Sequence, residues 1–494
     1  MPGWGIFGHK GPAIFVPDDD PSKLLFLLGV MNSQVFKTLV DLQMAFGSYE
    51  VGVLQRTPVP NDLSALDTGL VREAHDLTRD TDRTDETTHA FGRPGLADPT
   101  GGSLFDLDRQ LTQAAQDRLR RLIDIQHTLD EQVFDLYGLS ATDREMMQRE
   151  ASHPNLKAAE PDDEESEDEE AIASEDLPLR VQNLLMWCAG VAFGRWNVLF
   201  ALQPELLPAL QEPFDSLPRC APGALVGTDG LPATRETIAS EAWLRARENV
   251  LHLPDPLLPY GVPATISEAD YPLPIAWDGI LVDDPTHTAD IVERVRGVLA
   301  LIWGKRAGAI EQEACDVLGV VSLRDYFRDP RQGFFAFHIN RYSKSRRKAP
   351  IYWLLQSANR NYAVWLYIHR MDDNTYFTAA RNYADAKVNL ETSRLEDLRQ
   401  SLAALDGSAH KRREREIVKQ QKVVDEITTF RNRLDEIALR GLTPDLNDGV
   451  LISIAPLWEL VPWKESGKMW QELADGKYEW STMSQKMRQH GLIK

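Results

Sequence analysis

Five cations within eight residues, Arg341, Lys344, Arg346, Arg347 and Lys348, are followed at once by Tyr352 and Trp353, then by Tyr362, Trp365 and Tyr367. Dense positive charge beside planar side chains suits neutralisation of a phosphate backbone with flanking ring contacts. The candidate DNA-contacting residues are therefore Arg341, Lys344, Arg346, Arg347, Lys348, Tyr352 and Trp353. A second reading fits the same composition: a solvated basic loop leading into a β-hairpin whose aromatic residues are core. Alternation along a strand sends half of these rings inward under either reading, so composition leaves both open.

Other residue types carry less. Asp278, Asp283 and Asp284 flank an Ile-Leu-Val run; their oxygens suit a hard cation, but acids at a strand exit give the same pattern. Glu414 and Glu416 near Lys419 imitate a nuclease Glu-x-Lys, yet they fall near a helical turn where salt bridging accounts for them. Gly3, Gly5 and Gly8 have no strand ahead of them and read as loop. No GxxxxGK[ST], HExxH or His/Cys cluster at metal spacing occurs. Methyl transfer from S-adenosylmethionine to a base amino group needs a Gly-rich turn after a strand and an Asn/Asp/Ser-Pro-Pro-aromatic loop; neither is present. The reading assigns no catalytic, cofactor-binding or metal-ligating residue.

The elements that must position the basic block follow from periodicity. Residues 11–17 and 48–55 read as short strands around a helix from about Lys23 to Leu42, capped by Asp20. Residues 61–100 read as a helix and a loop. Leu107, Leu111, Leu119, Leu122, Ile125, Leu129 and Val133 recur near the 3.6 period, which predicts a helix that ends at Gly138 and restarts behind Ser140 or Thr142. Residues 180–202 form a buried helix, with further helices over 289–303 and 310–318. Residues 351–356 and 362–368 form a hairpin through a polar turn. Leu395, Leu398, Leu402 and Leu405, then Val423, Ile427, Phe430, Leu434 and Ile437, give complementary seams around Asp406-Gly407-Ser408, a long antiparallel coiled-coil hairpin.

With 43% hydrophobic and 26% charged residues, the 494-residue chain is ordinary globular material, enough for about two to four domains. The stretch 160–176 holds eleven acids and no base, about half of the net charge of −21. Like-charge repulsion with few apolar residues predicts a disordered, solvated insert there. Cys188, Cys220 and Cys315 are too scattered for a disulfide framework, in keeping with a reducing cytoplasm. The apolar stretch 24–40 is broken by Gly29, Asn32, Ser33, Gln34 and Lys37, so no membrane span or secretion signal is expected.

Several blocks, in order along most of the chain, carry a resemblance: Leu27–Ser33, Phe46–Val59, Leu129–Glu145, Gly190–Trp196, Tyr271–Ile280, Glu311–Gly319, Ser343–Trp353 and Asn447–Leu457. Together they resemble the C-terminal half of large adenine-specific DNA methyltransferases of restriction-modification and phage-defence systems. These are the single-chain type II restriction-methylases and the methyltransferases of BREX and DISARM islands. In that family the cofactor motifs and the Asn-Pro-Pro-Tyr loop lie N-terminal to these blocks. The chain is thus expected to begin inside the target-recognition region and to carry no catalytic residue of its own.

The resemblance implies double-stranded DNA and a methylase core as partners, adenine as the methylated base, and S-adenosylmethionine held by the partner rather than by this chain. Other defence-system proteins are further partners. Two alternatives stay open: a protein-interaction subunit without DNA contact, and the remnant of a split gene. The expected fold class is α+β and predominantly helical. Its expected divisions are 1–60, the end of a recognition region; 61–159, a helical connector; 160–176, the acidic insert; 177–384, a mixed α/β domain with the basic block; 385–441, the helical hairpin; and 442–494, a C-terminal segment.

Overall fold

Several helices in this chain start where short polar side chains can accept from otherwise orphaned backbone N–H groups. The computed structural model describes residues 13–44, 51–62, 65–151, 175–208, 212–215, 219–227, 230–235, 271–344 and 347–493. Asp20 caps α1 (Pro21–Met31), and Ser33 caps α2 (Gln34–Asp41), accepting from Phe36 N at 3.3 Å. The single helix expected over 23–42 is therefore two, bent by 66° at Asn32-Ser33. The Ser33 side chain offers the backbone an alternative to continuing the helix. Residues 51–55, part of the 48–55 run expected to be strand, lie in α3 (Val51–Arg56), and residues 13–16 carry no strand. A short apolar run does not distinguish strand from helix by period alone.

Asp67 caps α4 (Thr68–Asp82) and Ser103 caps α5 (Leu104–Leu136), which stops at Gly138 and restarts as α6 (Ala141–Ala151) as expected. At 33 residues α5 is about 50 Å long, and it joins two cores. Its C-terminal half buries Ile125, Leu129, Val133 and Phe134 against α1 to α4; its N-terminal end buries Leu104 and Leu107 in the larger core. No single described helix is long and apolar enough to cross a membrane. The bent pair of α1 and α2 has that length and composition, but Leu25, Phe26, Val30, Val35, Phe36 and Val40 are buried within the smaller core.

Most of the acidic insert, 160–174, lies outside the described residues; its last acid, Asp176, caps α7 (Leu177–Ala192). The larger core wraps a three-stranded antiparallel sheet in the order β1 (Ile280–Val282), β5 (Ala363–Tyr367), β4 (Tyr352–Gln356). Around it stand α7, α8 (Ile291–Trp303), α9 (Ala307–Leu318), α10 (Leu323–Arg328) and α11 (Phe334–Arg341). The two-residue strands β2 (Ser343–Lys344) and β3 (Arg347–Lys348) make a small hairpin between α11 and β4. Beyond β5 the chain passes through a π-helical turn, Ala379–Ala384, into α12 (Asp385–Leu402) and α13 (Gly407–Leu439). Contacts Arg413 to Ser401, Gln420 to Glu391 and Arg431 to Asp385 run in opposite senses along the two helices, so they are antiparallel. Ile427, Phe430, Leu434 and Ile437 are buried as expected, with Val424 in place of Val423. Two helices, α14 (Lys464–Ala474) and α15 (Thr482–Gln489), close the chain. The fold is α+β and predominantly helical.

All thirteen residues of the three sheet strands are buried, so both sheet faces are covered. One residue fixes where β4 begins. His338 on α11 is fully buried, and its Nε2 accepts from Ile351 N at 2.9 Å and Tyr352 N at 3.0 Å. Burial, with Arg195 nearby, holds the imidazole pKa well below its ordinary value. The folded state thus keeps this histidine neutral while the unfolded chain takes up a proton below about pH 6.5. Its contribution to stability is complete above that pH and falls below it, by up to about 1.4 kcal/mol per pH unit. Denaturant unfolding of the wild type and His338→Ala should therefore differ less at about pH 5 than at about pH 7. A difference that holds constant across that range would mean that His338 is not held neutral.

Candidate functional site

The basic block is a short arm whose base is pinned on both sides. Arg341, at the end of α11, turns back to Asp85, Nη2 to Oδ1 2.6 Å. Lys348 Nζ lies 3.3 Å from Glu465 Oε1 on α14. Between them Ser343 pairs with Lys348 and Lys344 with Arg347 in the β2–β3 ladder. Arg346 lies outside the described residues. Three of the five cations thus belong to the arm's tip by sequence position, while the outer two hold its base. Tyr352 and Trp353 have no exposed surface, which corrects their reading as nucleic-acid contacts. Alternation spares one ring only when one sheet face meets water, and here neither does.

Behind the arm is a cavity of about 770 Å³, walled by Glu86, Arg195, Trp196, Arg341, Tyr342, Tyr367, His369 and Arg370 among others. The block Gly190–Trp196 builds its floor. Gly194 takes φ +69°; its N–H bonds Val191 O at 2.9 Å and Arg195 N–H bonds Gly190 O at 2.8 Å, a Schellman ending to α7. A Cβ on Gly194 would lie 2.6 Å from Ile275 Cγ2, and one on Gly190 would lie 2.4 Å from the Trp196 indole. Glycine at both positions lets the chain reverse and seat Trp196 over the end of the helix, edge-on to Phe91 at 4.6 Å.

That reversal aims Arg195 inward. Its guanidinium stands 4.2 Å from the Trp196 ring and 5.5 Å from Tyr342, and pairs with Glu86 at 3.3 Å. Tyr342 donates to the same Glu86 Oε1 at 2.6 Å. Burial lifts the Glu86 carboxyl above its ordinary range, against the pull of Arg195, and Oε2 has no partner among the described residues. Arg370, 4.9 Å from the Trp277 ring, donates to Phe193 O, Gly194 O and Ala233 O at 3.0 to 3.1 Å. It ties the end of α7 to the end of the sheet. The chemistry of this cluster is charge neutralisation and rigid positioning: no side chain is placed as a nucleophile with its base.

Of the acids considered for a cation, Asp278 accepts from the Tyr383 hydroxyl at 2.6 Å, while Asp283 and Asp284 are taken up by basic partners. Asp283 pairs with Arg324 and Arg328, Asp290 with Arg324 at 2.8 Å, and Asp284 with Lys387 at 3.1 Å. They stand at the exit of β1, as strand-exit acids would. No group of three or more His, Cys, Asp or Glu is placed to hold a metal among the described residues. Glu416 pairs with Arg413 at 2.9 Å and Arg412 at 3.5 Å, and Glu414 with His410 at 3.7 Å, the salt bridging expected of them. Sequence reading missed Arg195 and Glu86, 109 positions apart. The available signal was an arginine directly after a helix-ending glycine and before a tryptophan.

An adenine-specific methyltransferase, BrxX of Escherichia coli O9:H4 (strain HS), is 21% identical to this chain over 477 residues, covering 93% of the chain and 34% of that protein. The chain spans about a third of the length of this curated relative. No family model matches the chain. The similarity supports a relationship to BREX-type adenine-specific methyltransferases.

Because Glu86 is buried, removal of its cation leaves an uncompensated charge. Arg195→Met should cost about 3–5 kcal/mol in urea unfolding, and adding Glu86→Gln should recover part of it. A loss below about 1 kcal/mol, the range of exposed pairs, would show that the pair does not support this wall.

Proposed function

We propose that these residues form the DNA-recognition and scaffold portion of an adenine-N6 DNA methyltransferase in a restriction or phage-defence system. Donor binding and methyl transfer come from a methylase core. The observation that carries this reading is the shape of the similarity: it runs through 93% of this chain but through only 34% of the methyltransferase it matches. The resembling blocks also meet in space, since Gly190–Trp196, Tyr271–Ile280 and Ser343–Trp353 all border the cavity or the sheet beside it. A rigid, internally neutralised body with a basic arm is a positioning device, and phosphate contacts fix register without reading sequence.

In this reading Lys344, Arg346 and Arg347 at the arm's tip are the phosphate contacts, with Arg341 and Lys348 holding its base. Tyr352 and Trp353 have no part in it. The chain should bind duplex DNA with an affinity that falls steeply with salt. Reversing the three tip charges to Glu should lower the slope of log K against log salt by about 3. Calorimetry of the chain alone with S-adenosylmethionine should give no binding isotherm. A clear isotherm overturns the division of labour, and a salt slope unmoved by charge reversal removes the arm from the interface.

A further inference from the structure

The helical hairpin carries a second cationic feature that the arm does not explain. Lys411, Arg415, Lys419 and Lys422 are spaced 4-4-3 along α13, which places them on one helix face. All four are exposed. The seam of Val424, Ile427, Phe430 and Leu434, continued by Arg413 and Gln420 against α12, occupies the opposite side. None of the four has an ion-pair partner among the described residues. Other cations of the same helix do: Arg412 and Arg413 pair with Glu416, Arg431 with Asp385, and Arg433 with Glu436 and Glu459.

This arrangement works against the helix that carries it. Like charges three and four residues apart repel. Lys411 also sits just past the first turn of α13, near the end where the helix dipole disfavours cations, and no acid lies in that first turn. Yet this is the outer face of a hairpin in a chain of net charge −21, where acids were freely available. Glu414, Asp425 and Glu426 stand three or four residues from Lys411 or Lys422, but they are engaged by His410, Gln421 and Ser357, which leaves the four cations available to an anion outside the fold.

We propose that this stripe is a contact surface for the phosphate backbone of duplex DNA, separate from the β2–β3 arm. From Lys411 to Lys422 it runs about 16 Å, near half a turn of duplex. Three of its four cations are lysines, point charges that suit phosphates, whereas protein interfaces are depleted in lysine and enriched in aromatic residues. No aromatic residue lies on α13 before Phe430, so the stripe offers no platform for the unstacked bases of a single strand. The other half of α13 is anchored to the β4–β5 turn: Glu426 takes Ser357 Oγ, Asn359 N and Asn361 Nδ2, and Phe430 meets Tyr362 edge-on at 5.9 Å. The stripe is thus held at a fixed place relative to the sheet.

The inference rests on the DNA-recognition reading above, and one titration series separates the two. Binding of a labelled duplex to the full chain is followed by fluorescence anisotropy between about 50 and 200 mM salt. The stripe variant K411Q/R415Q/K419Q/K422Q should lower the slope of log K against log salt by about 3 to 4, with at least a roughly tenfold loss of affinity. Arg412→Gln with Arg413→Gln, which removes two paired cations from the same helix, should leave the slope unchanged. Glutamine keeps helix propensity, so helicity by circular dichroism and the unfolding midpoint should match the wild type. Full wild-type slope in the stripe variant, with loss in the arm variant, overturns this inference and leaves the earlier reading standing. No duplex binding by the wild type overturns both. Tighter binding to single-stranded than to duplex DNA overturns the choice of ligand.

Discussion

Taking a small sheet out of water on both faces is the constraint from which the rest of this structure follows. Three short strands bury every side chain they have, so each polar group at their ends must find its partner within the protein. At the start of β4 that partner is the neutral imidazole of His338. At the exit of β1 the acids Asp283, Asp284 and Asp290 meet Arg324, Arg328 and Lys387. The far end of β5 is tied down by Arg370, whose guanidinium collects three backbone carbonyls from α7 and the loop beyond it. Edge strand β4 closes on the C-terminal segment through Gln356 N and Leu460 O at 2.8 Å.

This internal neutralisation separates two classes of cation that composition lumps together. Arg195, Arg324, Arg328 and Lys387 sit among carboxylates, rings and carbonyls; removing a partner from such groups is costly because the remaining charge stays buried. Arg341 and Lys348 belong with them, since each meets a carboxylate at the base of the arm. The outer face of α13 carries the opposite kind, exposed and without an ion-pair partner among the described residues. An overall charge of −21 says little about either class, because the field near a surface is set by the charges next to it.

Local chemistry made much of the fold legible. The cap Asp20, the stop at Gly138, the β4–β5 hairpin and the helical hairpin around Gly407 each follow from a side chain or a period acting within a few residues. The misreadings share a cause. Residues 51–55 alternate weakly over too short a run to separate strand from helix. The helix expected over 23–42 breaks because Ser33 caps a new one, a choice that the apolar pattern on both sides conceals. Tyr352 and Trp353 stand out by following the cations directly, with one ring spared by alternation only if one sheet face is wet, and the cover on the second face comes from elements far away in sequence. Glu86, Arg195 and Tyr342 could not be read together at all, since 256 positions separate the first from the last.

A pairing test therefore discriminates better than charge density between cations that hold a protein together and cations left to meet a polymer. The densest basic run, 341–348, turns out to be part structure: its outer residues are bonded to Asp85 and Glu465. The four-cation stripe on the outer face of α13 passes the test, and it does so against like-charge repulsion. Stability alone would not select that placement. A surface that lowers the stability of its own helix is accounted for by the anion it awaits, and a rigid hairpin anchored to a buried sheet is the element that can present such a surface at a fixed distance.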